Sequence, residues 1–198
     1  MWRLVVAAIC TVGSHASSLV SGVVTTDADI PLPDAVVFIE PLDGGGGETA
    51  IEPAGLPHVS HQGVTFAPNV LPVQVGTTVD FLNDDRVFHN AFSLSKAKPF
   101  DLGVYPYGTS KLVRFDEPGL VRVYCNIHPK MVMSILVLRN SSFDVTGSDG
   151  SYAIDAVLPG TYRVRVWSDR AESAEREILL THVDPQVTVD FEVAEQVR

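Results

Sequence analysis

The sequence predicts an all-β protein, a sandwich or sandwiches, and three observations carry that prediction. Apolar residues alternate with polar ones at a period of two: Val121, Val123 and Cys125 point one way and Arg122 and Tyr124 the other. Tyr162 to Trp167 does the same, with Arg163 and Arg165 set opposite Tyr162, Val164 and Val166. Turn-forming runs break these segments at short intervals, among them Asn83-Asp84-Asp85, Gly108-Thr109-Ser110, Asp149-Gly150 and Pro159-Gly160. Sustained helical spacing is missing; Asp169 to Leu180 is the one stretch with any helical character, and its apolar positions are too irregular to assign.

Taken in order, the first element is an export signal over residues 1–16. Arg3 is the only charge before Asp27, Leu4 to Val12 is an apolar run, and Ser14-His15-Ala16 has the small-x-small form of a cleavage site. The run is far short of the roughly 20 apolar residues that span a bilayer. Cys10 follows Ile9, where a lipidation site calls for a small residue. A soluble, exported and periplasmic mature protein is therefore expected, with no membrane insertion. Loss of Arg3 takes the formal net charge from −10 to −11. That balance argues against nucleic acid, whose phosphates demand Lys and Arg, and against anionic membrane surfaces.

Val73 to Phe81, rich in β-branched residues, reads as one strand ending at Asn83. Leu112 to Phe115 and Leu120 to Cys125 read as strands, and Ser134 to Leu138 as a short strand buried on both faces. Gly44 to Gly47 marks a flexible linker; it is no phosphate loop, because neither a Lys nor a helix follows. A second boundary falls at Asn140-Ser141-Ser142, where the N-glycosylation pattern is a chance match.

Once the signal is removed, Cys125 is the only thiol of an exported chain and has no partner for an intramolecular disulfide. Its neighbours give it a different use. In Cys125-Asn126-Ile127-His128-Pro129-Lys130-Met131, a thiolate, an imidazole and a thioether follow one another at the end of a strand and in the loop beyond it. With a second imidazole these make a Cys-His₂ plane with a weak axial sulfur, a set that suits both Cu(I) and Cu(II). Zinc favours four ordinary ligands at paired spacings. His89, in Val87-Phe88-His89-Asn90 just past the strand ending at Asn83, is the expected second imidazole, and Asn90 is placed to tie its loop to that of Cys125. A Cys protease reading fails because that nucleophile opens a helix. His58 and His61 are read as members of a solvated loop, with a second metal site as the alternative, and His182 is given no role.

On these residues the chain resembles the cupredoxins. VTFAPNVLPVQVGTTVDFLNDD resembles their opening strands, HN their first ligand loop, and VRFDEPGLVRVYCNIHPKM their ligand-bearing hairpin; the likeness covers about residues 60–138. The Cys-x2-His-Pro-x-Met spacing is similar to that of the short-loop, amicyanin-like members. The resemblance implies a single type 1 copper held by His89, Cys125, His128 and Met131, with electrons leaving through His128. Met133 stands at the longer, plastocyanin-like spacing, and Met131 is preferred because Pro129 tightens the loop.

Residues 21–41 and 146–167 resemble the early and late strands of carboxypeptidase-regulatory-like, transthyretin-like sandwiches. The expected layout is therefore a flanking sandwich of 17–55 plus 141–198, with a Greek-key cupredoxin domain of 56–140 inserted in it. The alternative is a serial layout with an enlarged cupredoxin first. Such nested chains resemble the methylamine-utilisation cupredoxins, which implies a link to amine oxidation. The functional expectation is an electron carrier rather than an enzyme, serving a redox protein partner such as a c-type cytochrome or a dehydrogenase. The alternative is a copper-binding carrier or sensor without an electron-transfer partner.

Overall fold

A computed structural model describes residues 18–42 and 55–196; the export signal, Cys10 and the Gly44–Gly47 linker lie outside the described residues. Within them the chain is all-β, its strands arranged in four sheets.

Two strands come first, β1 (Ser18–Thr26) and β2 (Val36–Pro41). Nine follow: β3 (His58–Gln62), β4 (Thr65–Ala67), β5 (Val70–Gln74), β6 (Thr78–Asn83), β7 (His89–Ser93), β8 (Phe100–Tyr105), β9 (Ser110–Arg114), β10 (Gly119–Tyr124) and β11 (Val132–Leu138). These nine pair only among themselves, as a sheet ordered β5-β11-β10-β7-β8 and a sheet ordered β4-β3-β6-β9. Their facing sides enclose Val59, Phe81, Phe115, Val121, Val123, Cys125, Met131, Met133, Ile135 and Val137.

The closing strands are β12 (Phe143–Val145), β13 (Ser151–Val157), β14 (Gly160–Trp167), β15 (Ala174–Leu180), β16 (Gln186–Thr188) and β17 (Phe191–Val193). They pair with the two opening strands from the far end of the chain. One sheet runs β13-β1-β16 with β17 also on β1, and the other runs β12-β2-β14-β15. Between them lies a second core that includes Val20, Val24, Val37, Ile39, Tyr152, Ile154, Val164, Val166, Leu180 and Phe191. The stretch left unassigned at Asp169 to Leu180 contains β15, paired in full antiparallel register with β14. Ion pairs on the outer side of that ladder, Arg163 to Glu177 and Arg165 to Glu175, account for its crowded charges.

Strand β2 is buried on both faces. Val37 and Ile39 enter the second core, while Val36 and Phe38 turn outward onto Val70, Leu136 and Leu138 of β5 and β11. Strand β11 works the same way, with Met133, Ile135 and Val137 inward and Leu136 and Leu138 toward β2, which explains its unbroken apolar run. A polar clasp closes the same seam. Arg122 donates to Ser134 Oγ and to Asp169 Oδ2, each at 2.8 Å, and the Ser134 hydroxyl donates to Asp169 at 2.8 Å.

One expectation needs correction. Val73 to Phe81 is not a single strand: β5 and β6 belong to different sheets, and the chain crosses between them at Gly76. Gly76 has φ of 90°, a left-handed conformation that glycine adopts without steric cost.

Candidate metal centre

Three donor side chains meet at one end of the nine-strand unit. Cys125 follows the last residue of β10, whose alternation turns Val121, Val123 and Cys125 into the core. His89 opens β7, where register pairs it with Tyr105 of β8. His128 sits in the turn between β10 and β11. The loop from Cys125 to Met131 closes on itself: the Met131 amide donates to His128 O at 2.9 Å and the Cys125 amide to Met131 O at 3.3 Å. That closure brings His128 Nδ1 to 3.1 Å from His89 Nδ1 and 4.0 Å from Cys125 Sγ. One donor atom from each of His89, Cys125 and His128 lies within 4.8 Å of the other two. His89 is wholly buried and Cys125 nearly so, and His128 alone reaches solvent.

Both methionines are buried in this core at 1% exposure. Met131 O accepts from the Cys125 amide in the loop, and Met133 pairs in register with Val123 on β11.

Around the donors, hydrogen bonds hold each loop. Asn90 Oδ1 accepts from the Asn126 amide at 3.4 Å, and Asn90 Nδ2 donates to Asp101 at 2.8 Å, so Asn90 does tie the two ligand-bearing loops together. Three further residues bear on the site, two that sequence reasoning gave no role there and one that it read as solvated. Asn83, fully buried, donates to Val87 O and Tyr105 O, each at 2.9 Å, and accepts from the Asp85 amide, which shapes the loop leading to His89. Asp85 Oδ2 lies 3.2 Å from His89 Nε2. Asp85 has its carboxyl held below the usual range, first by the Val64 amide and then by His89. The signal was its place four residues before His89. With Nε2–H donated to Asp85, His89 offers the lone pair of Nδ1 toward His128 and Cys125.

The third is His61, and here the structure corrects the solvated-loop reading. His61 lies on β3 at 0% exposure. Its ring meets His89 edge-to-face at a centroid distance of 5.4 Å, and Phe66 at 4.9 Å. Nε2 is 3.1 Å from the hydroxyl of Tyr105, itself buried at 1% exposure. Burial, with a smaller contribution from His89, lowers the His61 pKa from 6.5 to about 4, so the ring is neutral at ordinary pH. Burial likewise raises the Tyr105 hydroxyl. The usable signal was period two: His61 is two residues from Val59 and shares its buried face. His58 lies on the opposite, exposed face of β3, so the strand turns the two imidazoles apart.

No protein-family model matches the chain, and no curated protein matches it. Among solved structures it is similar to a purple cupredoxin from Nitrosopumilus maritimus, at 28% identity and TM-score 0.38, over 41% of this chain and 99% of that one. It is similar to a point mutant of amicyanin in the Cu(I) state, at 20% identity and TM-score 0.39, over 41% of this chain and 80% of that one. A copper-containing nitrite reductase from Thermus scotoductus SA-01 matches at 28% identity and TM-score 0.41, over 59% of this chain but only 28% of that one. Each match covers part of this chain; what the site can bind follows from its own donor atoms.

Proposed function

We propose that this chain is an exported, periplasmic blue copper protein of the cupredoxin kind, carrying single electrons between redox partners and turning over no substrate. His89, Cys125 and His128 would hold one copper, with the Met131 thioether as a weaker fourth donor. The observation that supports this is the donor set itself. The three donor atoms lie within 4.8 Å of one another, with His128 Nδ1 4.0 Å from Cys125 Sγ and 3.1 Å from His89 Nδ1, close enough to converge on one ion. One soft thiolate, two imidazoles and a neighbouring thioether match the preference of copper over zinc, calcium or magnesium. Bound there, copper supplies a one-electron Cu(I)/Cu(II) couple.

The residues of the chain do the rest. Asp85 and Asn90 restrain the ligand-bearing loops so that the donors stay in place in both oxidation states. Burial of His89, Cys125 and Met131 excludes water and supports retention of the metal over its delivery. His128 is the route to the surface. Around it Ile127 is 41% exposed and Phe88, next to His89, is 58% exposed, a small apolar face of the kind that weak redox encounters use. Met133 is buried and takes no part in it. Lys130 and Arg86 are exposed cations beside it on a chain of formal net charge −10. The partner proposed is a redox protein such as a c-type cytochrome or a dehydrogenase. The copper domain is assigned to residues 56–140, and 17–55 with 141–198 to a flanking, transthyretin-like sandwich, a division supported by the strand pairing.

Titrating the purified protein with Cu(II) while recording visible absorption tests this reading. Saturation at one copper per chain with an intense, reversibly bleached blue band is expected, and Cys125→Ser abolishes the band. A band that survives that change removes the thiolate from the site.

A further inference from the structure

The hairpin of β3 and β4 reaches His89 by two routes, one direct and one through Asp85. From β3, the buried His61 ring stands at 81° to the His89 ring with centroids 5.4 Å apart. His61 is in turn anchored by the Tyr105 hydroxyl at 3.1 Å and walled by Phe66 of β4 at 86°. Tyr105 is the residue paired with His89 across β7 and β8, so the three rings close a loop through three strands. From the turn of the hairpin, the Val64 amide donates to Asp85 Oδ2 at 3.1 Å, the same oxygen that lies 3.2 Å from His89 Nε2. Val64 holds φ of 59°, left-handed backbone that a β-branched residue strongly disfavours, and it follows Gly63 at the same φ. The pair forms the two-residue loop between Gln62 and Thr65, and a hairpin of that length demands positive φ at both positions; the turn so made aims the Val64 amide at Asp85.

We infer that the β3–β4 hairpin is a positioning element for His89: the Tyr105-anchored His61 ring fixes the plane of its imidazole, and the Val64 amide fixes the carboxylate that selects its tautomer. The ring contact limits rotation about the His89 side chain, while the carboxylate keeps the proton on Nε2 and the lone pair on Nδ1. The two contacts cooperate, because a ring that rotated off His61 would carry Nε2 away from Asp85. The proposal rests on the copper reading only in calling His89 a ligand. His61 and Tyr105 are thus positioning residues, acting on the centre through His89.

The experiment reads His89 directly. Long-range ¹⁵N–¹H spectra of the metal-free protein at pH 8, with assigned histidines, report which nitrogen carries the proton. A single Nε2–H tautomer is expected for His89 in the parent protein. His61→Ala and Tyr105→Phe each convert it to a mixture of tautomers, raise the Cu(II) dissociation constant about tenfold, and alter the copper hyperfine splitting in the electron spin resonance spectrum. Should His61→Ala fail to fold, Tyr105→Phe, which removes a single oxygen, decides the matter. Retention of the Nε2–H tautomer and of the parent dissociation constant in the folded variant overturns the proposal. A parent protein that takes up no copper instead sinks the copper reading, while the tautomer measurement on the metal-free chain still tests the hairpin.

Discussion

Replacing His61 with Phe removes a proton-binding group that folding buries. In the folded chain its pKa drops from 6.5 to about 4, because burial disfavours the imidazolium and His89 repels it, with Asp85 offsetting part of the effect. Between those values the unfolded chain binds a proton that the folded chain refuses, so stability rises with pH across that window. The contribution of neutral His61 is complete above pH 6.5 and is lost progressively as the solution is acidified toward pH 4. Linkage between the two pKa values gives a loss of about 1.2 kcal/mol from pH 7 to pH 5.5, reaching about 3 kcal/mol at pH 4. Phe fills the same space beside Phe66, His89 and Tyr105 and carries no proton. The assay is urea unfolding of the metal-free protein at a series of pH values, because a bound metal would add its own proton linkage. The stability difference between parent and variant is expected to change by about 1.2 kcal/mol from pH 7 to pH 5.5, with the denaturant slope unchanged. Parallel pH profiles would refute the reasoning and return His61 to solvent.

Met131→Leu should shift the reduction potential while copper stays bound, and Met133→Leu should leave the potential unaltered; a shift confined to Met133→Leu, read by redox titration, makes Met133 the axial ligand. Lys130→Glu should change the rate of association with the redox partner and its salt dependence at unchanged potential, and stopped-flow rates across ionic strength check this. Deleting residues 17–55 takes β1 from β13, β16 and β17 and β2 from β12 and β14. Limited proteolysis should then degrade residues 143–196 while the blue absorbance persists. The same deletion uncovers Val70, Leu136 and Leu138, so the surviving core should melt at a lower temperature than the whole chain. A colourless product with a protected C-terminal fragment contradicts this account.

The features readable from sequence are those whose causes lie close together along the chain. Alternation in Leu120 to Cys125 and in Tyr162 to Trp167 reports strands because a pleat repeats every two residues, whatever the strand pairs with. The thiolate, imidazole and thioether of Cys125, His128 and Met131 share one seven-residue loop, so their chemistry can be recognised before any fold is known. What the sequence leaves open depends on partners far away. Whether Val73 to Phe81 is one strand or two was decided by β11 and β3, which draw its halves into different sheets. His61, set among Ser60 and Gln62, looks solvated until β3 pairs in parallel with β6 and register lays it beside Asn83, under the His89 ring. Asp85 becomes a partner of His89 only because Asn83 and the Val64 amide fold its loop back on itself. Local periodicity is a property of the covalent chain. Burial, tautomer and support for a ligand are properties of contacts between strands, and only the tertiary structure makes those contacts.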